Sequence, residues 1–180
     1  LRAKFNVFRN DVSDYIDGVQ FAGPPVPNLY FQYQNIAHAR IEGSEAETFY
    51  DASLWFVGVS ATIQSGKNTQ TGIGLVTVQP RKITTTAGVR LMQNQLVLAM
   101  QWTNVEANTK IPTTYLAGTS YDLLNAYITY KPHRDITVNF SVDNILNEYY
   151  RPYAVPRAAD FTSTQNDVLW SSAAPGRVFK

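Results

Sequence analysis

The 180-residue chain contains no cysteine and only two histidines, which excludes disulfide bonds and thiolate metal sites. Charged residues make up 16% of the chain, well below the roughly 25% that is usual in soluble domains. The net charge of +1 provides no basic surface for nucleic acid. No run of about 18 apolar residues occurs, so the sequence predicts no transmembrane helix.

The chain is instead rich in alternating apolar and polar residues, most clearly in residues 123–144, LLNAYITYKPHRDITVNFSVDN. Because strand side chains point to opposite faces with a period of two, this alternation predicts strands with one apolar and one polar face. The apolar positions of its second half are Ile136, Val138, Phe140 and Val142. Residues 131–135 separate the halves and contain Pro132, which cannot donate a ladder hydrogen bond. The segment therefore predicts a β-hairpin with a tight turn at 131–135.

The same pattern recurs along the chain and predicts eight strands. Beside the two of the hairpin, we expect strands at 1–10, 29–49, 53–65, 82–92 and 95–105, and one that begins near 175. We expect a bend or bulge at Gly43 in the second of these. Short turns are predicted at 50–52 and 93–94, and long breaks at 11–28, 66–81, 106–121 and 144–174. The connections therefore alternate between long and short.

This alternation of connections favours one all-β architecture over another. In an antiparallel meander it places every short turn at one end and every long loop at the other, as in transmembrane β-barrels. A soluble β-sandwich explains the residue alternation equally well, but it gives no reason to separate loops by length, and its strands are commonly about 5–6 residues long. We therefore predict an antiparallel transmembrane β-barrel, with Val138, Phe140, Leu98 and Ile63 facing hydrocarbon. Aromatic residues near both strand ends are typical of interfacial girdles.

Two motifs near the C-terminus resemble a known family. Residues 140–153, FSVDNILNEYYRPY, and 174–180, APGRVFK, resemble the last two strands of TonB-dependent outer-membrane receptors. A third segment, residues 33–47, YQNIAHARIEGSEAE, is similar to another strand of these receptors. The residues that carry the first two matches are Val142, Asn144, Asn147, Tyr150, Pro175, Gly176, Arg177 and Phe179.

The resemblance implies a much larger protein. Such receptors are integral to the bacterial outer membrane and are 22-stranded barrels closed by an N-terminal plug. Residues 1–180 would then be the C-terminal portion of the barrel, comprising its last eight strands or so. Both chain ends fall within strand-like patterns, so we expect a fragment. The implied partners are outer-membrane lipid, the missing plug and remaining barrel strands of the same chain, and the TonB complex, which acts through the missing N-terminal part.

The resemblance also implies a function. It indicates a TonB-energised active-transport receptor for an iron compound. The motifs lean toward the haem and hemoprotein branch, so haem is the expected transported ligand, taken as such or from a haem-carrying protein. No resident cofactor is expected in this segment. Two alternatives stay open, a ferric-siderophore receptor of the same family and a complete small eight-stranded barrel.

No residue constellation predicts catalysis, so we expect no enzyme and no metal site. His38 falls in a predicted strand and His133 in a predicted turn. Asn144 is expected to cap a short helical turn. Recognition on a rigid barrel is carried by its loops, and the loop candidates for ligand binding are Tyr15, Tyr153, Arg157 and Trp170.

Overall fold

Ten strands form the secondary structure of this chain in a computed structural model, which describes residues 1–22, 29–79, 81–113, 115–152, 154–156 and 173–180. The strands are β1 Arg2–Ala22, β2 Leu29–Asp51, β3 Trp55–Asn68, β4 Arg81–Leu91, β5 Leu96–Val105, β6 Tyr115–Leu116, β7 Tyr121–His133, β8 Ile136–Asp143, β9 Val155–Pro156 and β10 Val178–Phe179. Within these ranges no helix is long and apolar enough to cross a membrane.

Eight of the strands form one antiparallel sheet in the order β1-β2-β3-β4-β5-β7-β8-β10, while β6 and β9 pair separately. Short connections at 52–54, 92–95 and 134–135 join β2 to β3, β4 to β5 and β7 to β8. Because neighbouring strands are antiparallel, these turns share one end of the sheet, here named the turn end. The opposite end, named the loop end, carries the other connections. The predicted all-β antiparallel architecture is confirmed.

The break predicted at 11–28 is wrong over its first half, because β1 continues to Ala22. Its register places Asp11 opposite Arg40 and Ala22 opposite Leu29. Residues 11–22 lack a clean alternation, so their own sequence does not indicate a strand. The extension depends instead on ladder hydrogen bonds supplied by β2, and propensity alone does not determine strand length.

Two smaller predictions also require correction. Gly43 lies opposite Phe8 and Gln64 in unbroken register, so the bulge expected there is absent. A Cβ at Gly43 would lie 2.8 Å from Gln64 Cβ, so glycine permits close strand approach rather than a bend. The turn at 131–135 is shorter than predicted, because β7 extends to His133 across a register irregularity that contains Pro132.

The register aligns the apolar positions of all the long strands on one face of the sheet. Leu98 lies opposite Val89 and Ile128, and Ile128 lies opposite Phe140. Directly opposed residues share a face, so this outer face is continuous from β1 to β8. It includes Phe5, Val7, Ala46, Val57, Val59, Ile63, Ala87, Val89, Leu98, Met100, Trp102, Ile128, Val138 and Phe140.

The inner face is mainly polar over the same strands, although it also includes Phe49, Phe56, Val97 and Tyr127. It carries Glu45, Glu47, Ser60, Thr62, Thr84, Thr86, Gln101, Thr103, Asn125, Thr129 and Asn139. Outer-face side chains are the more apolar yet remain accessible, with Ile63 and Val138 each 53% exposed. A sandwich would bury its apolar face in a core. The four residues predicted to face hydrocarbon do share this accessible outer face.

An ion pair between Arg90 and Asp51 stabilises the turn at 52–54. Arg90 donates from Nη1 and Nη2 to the two carboxylate oxygens of Asp51 at 2.8 and 2.9 Å, and from Nη1 to the Ser53 carbonyl at 2.9 Å. These Arg90 hydrogen bonds, with one from the Ser53 amide, lower the pKa of Asp51. Tyr50 and Trp55 flank the turn with ring centroids 5.2 Å apart, as expected for an aromatic girdle.

The two-faced sheet predicts opposite outcomes for neighbouring arginine substitutions. Met100 lies near the middle of β5 on the outer face, and Gln101 lies beside it on the inner face. Met100→Arg should destabilise a membrane barrel by about 2–4 kcal/mol, because the guanidinium meets hydrocarbon. Gln101→Arg should assemble nearly as wild type. The readout is the amount of folded, membrane-inserted full-length protein, and equal assembly of both variants would show that the faces are wrongly assigned.

Candidate functional site

The connection between β3 and β4 folds back over the inner face at the loop end. Its Leu75 amide donates to the Gly66 carbonyl at 3.0 Å, and Leu75 and Val78 are buried together with Ala39 of β2. A Cβ on Gly66 would lie 2.7 Å from Val78 Cγ2. Glycine at position 66 therefore provides the space in which this connection packs on the sheet.

The connection between β5 and β7 docks onto the first one through Asn108. Its Nδ2 donates to the carbonyls of both Leu75 and Val78, at 3.0 and 2.7 Å. Gly74 packs so closely against the Lys110 backbone that a Cβ there would collide with the Lys110 carbonyl. The two connections are thus joined by side-chain-to-backbone bonds and by direct backbone contact.

The connection between β8 and β10 joins the same structure through its described part. Strand β9 pairs with β6, placing Pro156 opposite Tyr115. Thr119 and Arg151 exchange two hydrogen bonds, from the Thr119 amide to the Arg151 carbonyl at 3.0 Å and from the Arg151 amide to Thr119 Oγ1 at 2.9 Å. We name residues 69–79, 106–113, 115–120 and 150–152 with 154–156 the loop layer.

The loop layer and Gln64 of β3 line a partly open cavity of about 150 Å³. Amide, hydroxyl and carboxylate groups line much of it, from Gln64, Thr77, Gln79, Glu106, Asn108 and Thr119. Such groups bind polar ligands by hydrogen bonds, but they do not form a preorganised metal site. Across the described ranges, no group of three or more His, Cys, Asp or Glu residues is placed to hold a metal ion.

Tyr15 is the one predicted ligand residue that the structure describes. Its hydroxyl is 2.8 Å from Thr77 Oγ1, and its ring packs against the cluster of Ala39, Leu75 and Val78. The preceding Asp14 has φ 55°, which interrupts the alternation and lets Tyr15 reach the inner face. Tyr15 therefore supports the loop layer, and its ligand contact stays a prediction. Tyr153, Arg157 and Trp170 lie outside the described residues.

The two histidines lie at opposite ends of the sheet. His38 belongs to β2 and shares the outer face with Arg40, and its carbonyl accepts the Thr69 amide at 3.0 Å. His133 ends β7 at the turn end, where its Nδ1 accepts the Asp135 amide at 3.4 Å. Neither side chain belongs to the loop layer.

The residues of the C-terminal motifs meet at the base of the last connection. Asn144 is buried, with φ 52°. Its Nδ2 donates to the carbonyls of Glu148 and Pro175 at 2.9 and 3.5 Å, and its Oδ1 accepts the Glu148 amide at 2.8 Å. Residues 145–146 form a turn and no helix follows within the described residues up to 152, so the predicted helix cap is wrong. Asn144 thus links the start of the connection to its return at Pro175.

A second group of hydrogen bonds joins the same two segments, residues 144–148 and 175–177, which we name the clasp. Asn147 Oδ1 accepts the Arg177 amide at 3.0 Å, and Arg177 Nε donates to the Ile145 carbonyl at 2.8 Å. A Cβ on Gly176 would lie 2.6 Å from Asn147 Oδ1, which explains glycine at that position. The motif signalled these residues in the sequence, but their mutual contacts depend on chain segments about thirty residues apart.

Removing the Asn108 amide should loosen the loop layer. In the full-length protein, Asn108→Ala removes the donor to the Val78 carbonyl, while the Leu75 carbonyl keeps the Val78 amide at 3.4 Å. The cost should be about 1–3 kcal/mol for a buried group left unpaired. Amide hydrogen exchange in residues 74–79 should accelerate, while exchange in β4 and β5 stays constant. Asn139→Ala at the turn end is the control. Unchanged exchange in Asn108→Ala would show that Asn108 does not hold the layer.

We expect Asn144 to stabilise the clasp both through its side-chain hydrogen bonds and through its left-handed backbone conformation. Asn144→Gly keeps the left-handed φ accessible but removes the side-chain hydrogen bonds, so proteolysis near residues 144–149 should increase. The Asn144→Ala variant should be cleaved faster still by the protease, because alanine also disfavours a positive φ. If Asn144→Gly resists proteolysis like wild type, the backbone conformation alone maintains the clasp.

Comparison with known proteins relates these features to a family. Residues 1–145 match a family model described as TonB dependent receptor-like, beta-barrel. TonB-dependent heme receptor A of Haemophilus ducreyi is 27% identical over 146 residues, covering 71% of this chain and 20% of that protein. Heme/hemopexin utilization protein C of Haemophilus influenzae is 25% identical over 154 residues, covering 81% of this chain and 22% of that protein. The chain spans about a fifth of the length of these relatives.

Solved structures give the same result for the fold. The copper transporter OprC superimposes with a TM-score of 0.81 at 19% identity, over 98% of this chain and 28% of that chain. The siderophore receptor PirA from Acinetobacter baumannii superimposes with a TM-score of 0.68 at 18% identity, again over 98% of this chain and 28% of that chain. At such identities the similarity establishes the fold of the sheet.

Proposed function

Because the chain belongs to the TonB-dependent receptor β-barrel family, we propose that its sheet forms part of the wall of an outer-membrane receptor that imports an iron compound. Members of this family are transporters of the bacterial outer membrane. Uptake would be energised by the TonB complex, which would act through parts of the protein outside residues 1–180. A plug and further strands of the same chain would complete the barrel.

The faces of the sheet support the membrane part of this proposal. Outer-face positions on β3 are apolar from Trp55 to Ile63 and become polar at Ser65. With a rise of about 3.4 Å per residue and a tilt of about 40°, residues 55–63 span roughly 21 Å along the membrane normal. That height is close to the apolar band of about 25 Å in outer-membrane barrels. Hydrocarbon is therefore the natural neighbour of this face.

The open edges of the sheet support the need for further strands. In the described residues, β1 and β10 lie at opposite ends of the strand order and do not pair with each other. Unpaired strand edges are not tolerated in hydrocarbon, because their backbone groups have no hydrogen-bond partners there. We therefore propose additional strands of the same chain at both edges, in preference to a complete eight-stranded barrel.

The choice of haem as the transported compound rests on the curated relatives. The two described above are named for haem or haem and hemopexin, and both match along most of this chain. A siderophore receptor shares the fold at 18% identity, which makes a ferric siderophore the second candidate. The loop layer would contribute to capture of haem or its carrier at the mouth of the barrel.

Growth and binding distinguish the two candidates. A strain that lacks its other iron receptors and expresses the full-length protein should grow on haem as the sole iron source, and only when TonB is functional. The purified receptor should shift the haem absorption spectrum in a saturable titration. The proposed specificity would be overturned if the strain grew on a ferric siderophore but not on haem, and if the purified receptor did not bind haem. Growth without TonB would overturn the energised mechanism.

The two histidines of this segment should contribute little to haem binding. His38 shares the outer face, away from the channel side of the sheet, and His133 lies at the turn end, away from the loop layer. His38→Ala and His133→Ala in the full-length receptor should leave the haem dissociation constant within about threefold, roughly 0.7 kcal/mol. A loss above tenfold in either variant would show that this segment supplies an axial ligand.

A further inference from the structure

The outer face carries a group of cations just beyond its apolar positions at the loop end. Arg40 lies directly between Asp11 and Lys67 across three neighbouring strands, and Arg9 lies two residues from Asp11 on β1. All four side chains share the face of Val7 and Ile63, because alternation continues in unbroken register. We name Arg9, Arg40, Lys67 and Asp11 the basic corner.

The basic corner lies at the height where a membrane would end. Arg9 is opposite Glu42, and Glu42 is opposite Ser65, which is ten residues along β3 from Trp55 at the turn end. Ten tilted strand residues rise about 25 Å along the membrane normal, which matches the apolar band of such barrels. The corner therefore lies where lipid headgroups begin.

The hydrogen bonds within the basic corner leave part of each guanidinium group available to bind an anion. Arg9 and Arg40 both use Nε to bind Asp11, at 3.1 and 2.6 Å. No described residue accepts a hydrogen bond from their Nη groups. The side chain of Arg9 is 54% exposed and that of Arg40 is 31% exposed. Nη groups that bind no other described residue can present the planar fork that suits phosphate oxygens.

The charges favour an anion at this corner. Arg9, Arg40 and Lys67 supply three positive charges against Asp11 and Glu42, leaving an excess of one. Farther along this rim Arg81 lies 3.6 Å from Glu106, and the neutral Asn104 donates to Asp122 at 3.0 Å, so these three charges sum to one negative charge and the positive excess is confined to the corner. Basic groups next to an apolar membrane surface attract anionic headgroups.

Resting on the membrane placement in the proposed function, we infer that the basic corner is a binding site for the phosphate headgroup of an anionic lipid in the leaflet on the loop side. Val7 and Ile63, exposed below it on the same face, would contact the acyl chains of that lipid. Arg9 and Lys67 would contact the phosphate, while Asp11 orients Arg9 and Arg40. A phosphate free in solution presents the same charge without the chains, so the test separates the two.

The test uses the purified full-length receptor in uncharged maltoside micelles. Phosphatidic acid, diacylglycerol with the same chains, and inorganic phosphate are the three probes, and native mass spectrometry counts bound lipid. Arg9→Gln/Lys67→Gln is the variant, because it leaves the Arg40–Asp11 pair intact. Lys131→Gln/Arg134→Gln removes two exposed cations at the turn end and is the matched control.

Wild type and the control should retain phosphatidic acid, and the corner variant should bind it at least about tenfold more weakly, as expected for two lost cation contacts. Diacylglycerol should not bind specifically to the wild type, to the control variant or to the corner variant. Equal retention by wild type and the corner variant would overturn the inference, as would an equal loss in the control. Displacement of the lipid by equimolar inorganic phosphate would assign the corner to free phosphate instead. Haem uptake, measured on the same variants, should stay unchanged, so failure of the haem proposal leaves this result interpretable.

Discussion

The antiparallel register, which is continuous apart from one irregularity beside the β7–β8 turn, is the constraint on which the rest of this structure depends. Side chains alternate between faces with a period of two, so a slip of one residue would exchange the apolar and polar faces of a strand. The alignment of Val89, Leu98, Ile128 and Phe140 shows that four strands keep the same phase. One face can then meet hydrocarbon while the other meets water, and every interior strand satisfies its backbone through its neighbours.

Burial is concentrated at the loop end, in contrast to a soluble domain. The buried apolar residues of the described chain are Ala39, Leu75, Val78, Val105 and Tyr115, all beside the connections that fold over the inner face. These connections are held by this apolar packing, by backbone hydrogen bonds and by amide side chains that bind backbone carbonyls, as Asn108 and Asn144 do. Such bonds specify a geometry without a large core, which suits loops that must shape the mouth of a channel.

Local alternation predicted the hairpin of β7 and β8 and the turn at Gln93 and Asn94, where both residues have positive φ. It failed for residues 11–22, whose strand conformation is imposed by pairing with β2. It also missed β6 and β9, because two-residue strands carry no periodic signal. The contacts within the site were harder to predict from the sequence, because those of Tyr15 with Thr77 and of Asn147 with Arg177 join segments that are distant in the chain. The motifs identified the family, but only the fold shows which of their residues meet.

One face of the sheet should meet lipid, and the other should face the interior of the barrel. Site-directed spin labels placed one at a time along β5, from Leu96 to Val105, test this expectation directly in the full-length receptor reconstituted in bilayers. Collision with oxygen should peak at Leu98, Met100 and Trp102, and collision with a water-soluble nickel chelate should peak at Ala99, Gln101 and Thr103. Two accessibility profiles in phase with each other, or without a period of two, would contradict the account.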